Sequence, residues 1–480
     1  MIGTEKVIPQ KRIAFFYRHI IYIKKNYVSQ NRKKVQYRDF TTGSISRQLT
    51  KLALPLMATS FIQMAYNLID LAWVGRLGSE SVAAVGAMGM LIWMIHSVAL
   101  FSKISAEVSI GQSLGIKRFD KAAIYASHTT TIAIILGAIF FAVFLSVPYL
   151  FIDFFELSPS ISAEAADYLR IISFSIPMVF MILNFSGIYV GSGRSDIPFY
   201  YNAVGHILNI VIDPILIFGC GPIPALGSAG AAYATTFSQF VVLVLFIWHL
   251  KRRDGVFGYF PFLTTLKASY TKVIFKLGFP VAAMNIFFSL INMNLVRIAS
   301  IHGGHLGVTS QTTGGQIEGL TWNTTEGFAT ALGSYVAQNY SANRMDRAKK
   351  AYAFTLKLLL SLGVILSAAF IIYGENIFAI FVPERDAYMA GGDYLLILGI
   401  SQIFMMLELT TQGMFNGIGR TAPPAIISMT FNAIRIPLAM FLASSMGVTG
   451  VWWALSITTV FKGVILTVWY QVVQKKIISS

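Results

Sequence analysis

GSGRSDIPFYYNAVGHILNIVIDPILIFG, residues 191–219, holds in one stretch the features that decide the fold. A glycine-rich turn bearing Arg194 runs into an apolar stretch of about 20 residues, the length that crosses a bilayer core. Inside that run sit Asn209, Asp213 and Pro214. A carboxylate at that depth costs about 2.5–3.5 kcal/mol on insertion scales, so one with no base a turn away is a candidate for function. The stretch then recurs. GIGRTAPP (Gly417 to Pro424) echoes GSGRSDIP (Gly191 to Pro198), and NAIRIP (Asn432 to Pro437) echoes NIVIDP (Asn209 to Pro214).

Working outward, the same doubling extends along the chain: KLALP (Lys51 to Pro55) is matched by KLGFP (Lys276 to Pro280), Gln112 by Gln338, and LGSAGAAYA (Leu226 to Ala234) by MGVTGVWWA (Met446 to Ala454). Apolar stretches of spanning length fall at about 50–76, 82–112, 124–151, 165–190, 197–219, 228–250, 271–300, 310–338, 351–378, 391–417, 423–444 and 448–474. The fold expected is therefore an all-α integral membrane protein of twelve transmembrane helices in two homologous six-helix bundles. Composition agrees: 480 residues that are 55% hydrophobic and 12% charged cannot clothe a soluble globule of that size. One cysteine, Cys220, excludes an internal disulfide framework and reads as a small apolar filler.

The net charge of +16 is localised rather than spread, which argues against nucleic acid as a partner and for membrane lipid. Residues 1–51 carry twelve Lys or Arg against Glu5 and Asp39, and within them Ile13 to Lys25 has the aromatic and basic mix of an interfacial helix or of a solvated tail. Short connections alternate as the positive-inside rule requires. One side holds Lys117, Arg118, Lys121, Arg194, Lys251, Arg252, Arg253, Lys267, Arg344, Arg347, Lys349, Lys350, Arg420, Lys475 and Lys476. The other holds Arg76 and Arg385 among Asp153, Glu156, Glu164, Glu375, Glu384 and Asp386. Both termini are placed in the cytoplasm, with a basic tail at 1–45, bundles at 46–250 and 271–474, a linker at 251–270 and a C-terminus at 475–480.

With LPLMATSFIQMAYNLIDLAWVGRLGSESVAAVG (Leu54 to Gly86), GQSLG, GSGR and NIVIDP in view, the chain from about 46 to 474 resembles the multidrug and toxic compound extrusion (MATE) family. Asp70 and the Asn209/Asp213 pair are similar to its prokaryotic branch named after the DNA-damage-inducible protein F. The resemblance implies a V-shaped pair of bundles in a bacterial plasma (inner) membrane. It also implies a secondary antiporter rather than an enzyme, exporting small organic cations and amphipathic compounds in exchange for H+ or Na+. No cofactor is implied, and a monomer is expected.

Comparing the repeats separates scaffold from chemistry. Asn67 recurs as Asn292 and Asn209 as Asn432, yet Asp70 is answered by Leu295, Asp213 by Ile436 and Thr235 by Leu455. The acids are one-sided, as an ion site in one bundle would be. Asp70 lies one turn from Asn67 and Asp213 one turn from Asn209, so each carboxylate shares a helix face with an amide. Pro214 removes the hydrogen bond to the Ile210 carbonyl, and that oxygen with Asp70, Asn209 and Asp213 suits a hard cation such as Na+. Thr235 is carried over from the family, with Thr236 beside it. Pro55 matches the family's bending proline in the first span, or is an ordinary first-turn proline, since Pro280 repeats it.

The C-terminal half has membrane acids of its own, Glu318, Glu326 and Glu408, with Arg297 and Arg435 to pair them; Glu326 and Glu408 stand as secondary candidates. Lys103 and Glu107, one turn apart, read as an internal pair. Met64, Met88, Met90, Met178 and Met181 suit either adaptable substrate contacts or the core. The rivals are a lipid-linked sugar flippase, for which Arg297 and Arg435 could hold an anionic headgroup, a membrane enzyme and a channel. The sequence carries no HExxH, nucleophile elbow or aspartate-rich diphosphate motif, and no repeated filter loop.

Overall fold

The computed structural model describes residues 37–153, 158–252 and 260–478. The stretch Ile13 to Lys25, Glu156 and Arg253 lie outside the described residues. The elements are α1 (Ile45–Gly75), α2 (Ser79–Gly115), α3 (Phe119–Ser146), the short α4 (Pro148–Ile152), α5 (Pro159–Ser173), α6 (Ile176–Gly191), α7 (Asp196–Phe218), α8 (Ser228–Arg252), α9 (Ala268–Ser341), α10 (Met345–Ala379), α11 (Arg385–Gly417), α12 (Ala422–Met446) and α13 (Val448–Ile478).

Ten of the described helices are long and apolar enough to cross a membrane, and α5 with α6, bent by 47°, raises that to eleven. The bend falls where Pro177 opens α6, because proline has no N–H to give to a continuing helix. A twelfth span depends on α9, whose 74 residues would reach about 110 Å if straight, far beyond any bilayer. Its backbone leaves helical geometry at Gly304, at φ 56° and ψ −146°. A Cβ built on Gly307 would sit 2.7 Å from the Ala299 carbonyl oxygen, eight residues back, so the chain doubles over there as a hairpin of two spans.

The internal repeat shows in the backbone as well. Gly78 and Gly304 take positive φ at equivalent places, as do Lys117 and Asn343, and Gly193 and Gly419, each pair 226 residues apart. Gly78 separates α1 from α2, so its counterpart Gly304 separates two spans by the same geometry. Lys117 and Asn343 follow the last turn of their helices in the left-handed conformation that ends a helix, where glycine is commoner.

Four hydrophobic clusters show how the halves meet. One contains only residues between Val74 and Ala232, another only residues between Ile291 and Leu455. The other two mix the halves: Leu49, Leu52 and Ala53 with Phe328, Leu332 and Met406, and Phe101, Ile110 and Phe185 with Ile274 and Ala282. The shared clusters lie toward the basic connections and the separate ones toward the opposite end, so the bundles join at the basic end as the two arms of a V. The seam is tight. A Cβ on Gly115 would run into the Gln338 carbonyl oxygen, and one on Gly278 into the Phe101 carbonyl oxygen. Ser105 Oγ donates to Ile274 O at 2.8 Å and Gln112 Nε2 to Gly417 O at 3.2 Å, both across the seam.

Residues 37–43, read from sequence as the end of a tail, strap this seam. The Arg38 N–H donates to Ser192 O at 3.0 Å and its guanidinium meets Asp196 at 3.3 Å, in the N-terminal half. Phe40, 1% exposed, stacks on Tyr335 at 5.3 Å, and its N–H donates to Gln338 Oε1, in the C-terminal half. Asn339 Nδ2 and the Arg347 guanidinium both donate to Phe40 O. Phe40→Ala empties this contact between the halves, at a cost of about 3 kcal/mol typical of a buried phenylalanine, and lowers the melting temperature in detergent; an unchanged melting temperature contradicts the strap.

Candidate functional site

Asp70 on α1 and Asp213 on α7 come together, their carboxylates within hydrogen-bond reach of each other. Two carboxylates can share such a bond only when one of them carries a proton. Asp213 is fully buried, and Asp70 Oδ1 is buried with no partner. No lysine or arginine forms an ion pair with either among the described residues. The pair lies in the half of the bundle away from the basic end, Asp70 eight residues before the Gly78 turn.

Asn209, 2% exposed, anchors Asp213 as its spacing predicts. Its amide is oriented so that Nδ2 donates to Asp213 Oδ2 at 2.7 Å, while its oxygen accepts from the Thr235 hydroxyl at 3.2 Å and backbone N–H at 3.0 Å. Thr235, on α8, thus belongs to the cluster and Thr236 does not, its hydroxyl donating to Ile171 O. Pro214 lies inside α7 beside Asp213. Pro55 is inside α1, ten residues past Ile45, so the first-turn alternative falls away, and its carbonyl accepts from Thr59 Oγ1 at 2.8 Å.

Asn67 does not join. It is exposed and makes no hydrogen bond to Asp70 among the described residues. The α1 residue on the acid's other side turns inward instead: the Tyr66 ring stacks on His206 of α7 at 4.9 Å. Tyr168 of α5, 6% exposed, is buried close enough for both carboxylates to act on its hydroxyl. Tyr66, Tyr168 and His206 escape a reading by repeats; Tyr66 one turn before Asp70 and His206 two turns before Asp213 were the signal available.

The C-terminal acids are held differently. In α11, a span largely enclosed by its neighbours, Glu408 pairs with Lys462 of α13 at 3.0 Å, not with an arginine. Arg297 is exposed. Arg435, 4% exposed, donates to Thr458 and Thr459 at 2.8 and 2.9 Å and is not open to a headgroup. Glu318 accepts from Gln402 at 3.0 Å and from Tyr394. Among the described residues Glu326 accepts one hydrogen bond, from Thr330 at 3.4 Å. Lys103 and Glu107 make no direct ion pair among the described residues, although Lys103 acts on Glu107 through space; Glu107 accepts from Ser334 of the other half at 2.9 Å. Cys220 is exposed rather than a buried filler, because α7 ends at Phe218 and the cysteine sits in the turn beyond it. Met88 is fully buried and Met178 and Met181 pack on a core cluster, which leaves Met90 exposed and Met64 half-buried.

The family model MatE matches residues 55–215 and again 280–441, the two repeats. The chain belongs to the MatE family. It is therefore a MATE secondary transporter and not an enzyme. Among similar proteins, the probable multidrug resistance protein NorM of Thermotoga maritima is 27% identical over 87% of this chain and 90% of its own. An FAD transporter of Shewanella oneidensis is 24% identical over 88% and 94%. The MATE fold is matched by a solved outward-facing multidrug resistance MATE transporter, with TM-score 0.85 at 23% identity, covering 93% of this chain and all of that one.

Proposed function

We propose that this MATE protein exports organic cations across the bacterial plasma membrane in exchange for a proton, which Asp70 and Asp213 bind together. The observation that carries the reading is a pair of carboxylates on two helices, within hydrogen-bond reach and with no basic partner among the described residues. A site so built holds one positive charge, proton or substrate, and releases the first when the second arrives. Na+ is the other cation these oxygens suit, with Asn209 and Thr235 beside them. The NorM relative's name supports multidrug efflux; the FAD transporter's supports transport without supporting the charge of this cargo.

The charge alternation supports a cytoplasmic basic end, with both termini on that side. The V then opens outward, and the carboxylate pair meets external protons. The flippase reading loses its support, because Arg435 is already engaged and the acid pair repels phosphate. Ethidium efflux from reconstituted vesicles under an imposed proton or sodium gradient tests this: transport driven by the proton gradient is expected, and transport driven by sodium alone, or by neither, overturns the proton assignment.

A further inference from the structure

Away from the acid pair, one carboxylate lies on the seam itself. Glu107 of α2 is 4% exposed. Its Oε1 accepts from Ser334 Oγ of α9 at 2.9 Å, a bond that crosses from one half of the molecule to the other. Its Oε2 is buried with no partner. The helices pack closely around it: a Cβ on Gly333 of α9 would touch Glu107 Oε1, and one on Gly191 of α6 would run into the Glu107 carbonyl oxygen. The charged groups that act on Glu107 are Lys103, one turn earlier on α2, and Glu326 of α9; Lys103 acts also on Glu326 and on His96. On α6, Gly187 lies against Lys103 and Gly191 against Glu107.

Two carboxylates and one ammonium leave one negative charge over, which one proton cancels. We propose that Glu107 is a proton-binding site of the seam, loaded while the halves are joined at the basic end and emptied when they part there. An ionised oxygen without a partner in a closely packed seam is the costliest polar group to bury, and a proton removes that charge. Alternating access requires the halves to separate at the basic end. Ser334 then leaves with its half, water reaches Glu107, and the hydrated carboxylate beside Lys103 needs no proton. The joined state thus holds one proton more than the parted state, so acidity on the basic side favours the joined, outward-open form. This site is separate from the acid pair and stands whether or not that pair carries the coupling ion.

The test uses the full chain with Cys220→Ser and spin labels at Ile116→Cys and Lys350→Cys, exposed positions near the basic end of each half. The ratio of joined to parted molecules is expected to rise as pH falls, by up to about tenfold per pH unit for a one-proton linkage. Glu107→Gln is expected to stay joined with no titration, and the titration to persist in Asp70→Asn/Asp213→Asn. A flat wild-type ratio, a wild-type titration in Glu107→Gln, or loss of the titration in the double variant overturns the proposal. If Glu107→Gln does not fold, Glu107→Asp, which draws the carboxyl back from Ser334, moves the midpoint; an unmoved midpoint overturns it equally.

Discussion

Asp213→Asn leaves ethidium efflux about 10 to 100 times slower than wild type under an imposed proton gradient, as expected for loss of a charged hydrogen-bonded group worth about 1.5–3 kcal/mol. The amide is nearly the size of the carboxyl, and Asn209 still has a partner, so the helices keep their places. What disappears is the negative charge for which proton and substrate compete. Asp70→Asn has the same effect, because the remaining carboxylate no longer shares a proton. Thr235→Ala costs less, since it supports Asn209 and not the charge. Initial rates in vesicles check all three; full gradient-driven efflux in either aspartate variant would move the coupling elsewhere.

Lys462→Met is the largest expected change in stability. Glu408 and Lys462 are 7% and 8% exposed at their side chains and 3.0 Å apart, so removing the base strands a buried carboxylate. Breaking a buried pair from one side costs about 3–5 kcal/mol. Adding Glu408→Gln to Lys462→Met removes the stranded charge and recovers most of that loss, which thermal unfolding in detergent measures as a double-mutant cycle. Equal melting temperatures for the single and double variants would show that the pair is not the unit of stability. The double variant also keeps gradient-driven efflux in this account, because Glu408 is a structural partner and the coupling site is in the other half.

Much of the fold is legible in the residues, since a bilayer leaves the backbone few choices and the chain states its plan twice. GSGRSDIP and GIGRTAPP mark equivalent turns, and Gly193 and Gly419 within them share positive φ. The Asn209 and Asp213 contact follows from spacing along one helix. Contacts between helices are harder. Tyr66 and Asn67 lie about 40° and 60° to either side of Asp70 around α1, and only the packing of α7 and α8 selects Tyr66. Lys462 is 54 residues from Glu408, and no periodicity links them. Glu107 and Lys103 are one turn apart and look paired until the other half brings Ser334 to the same place. The strap at residues 37–43 is short and polar, and its role exists only once both halves are assembled.

Proton release on substrate binding reads out the exchange at the acid pair itself. In weakly buffered detergent solution, adding ethidium to the purified protein is predicted to release about one proton per bound cation, and Asp213→Asn to bind without release. Binding that releases no proton in wild type, or the same proton in Asp213→Asn, would contradict the assignment of Asp70 and Asp213 as the place where cargo and coupling ion exchange.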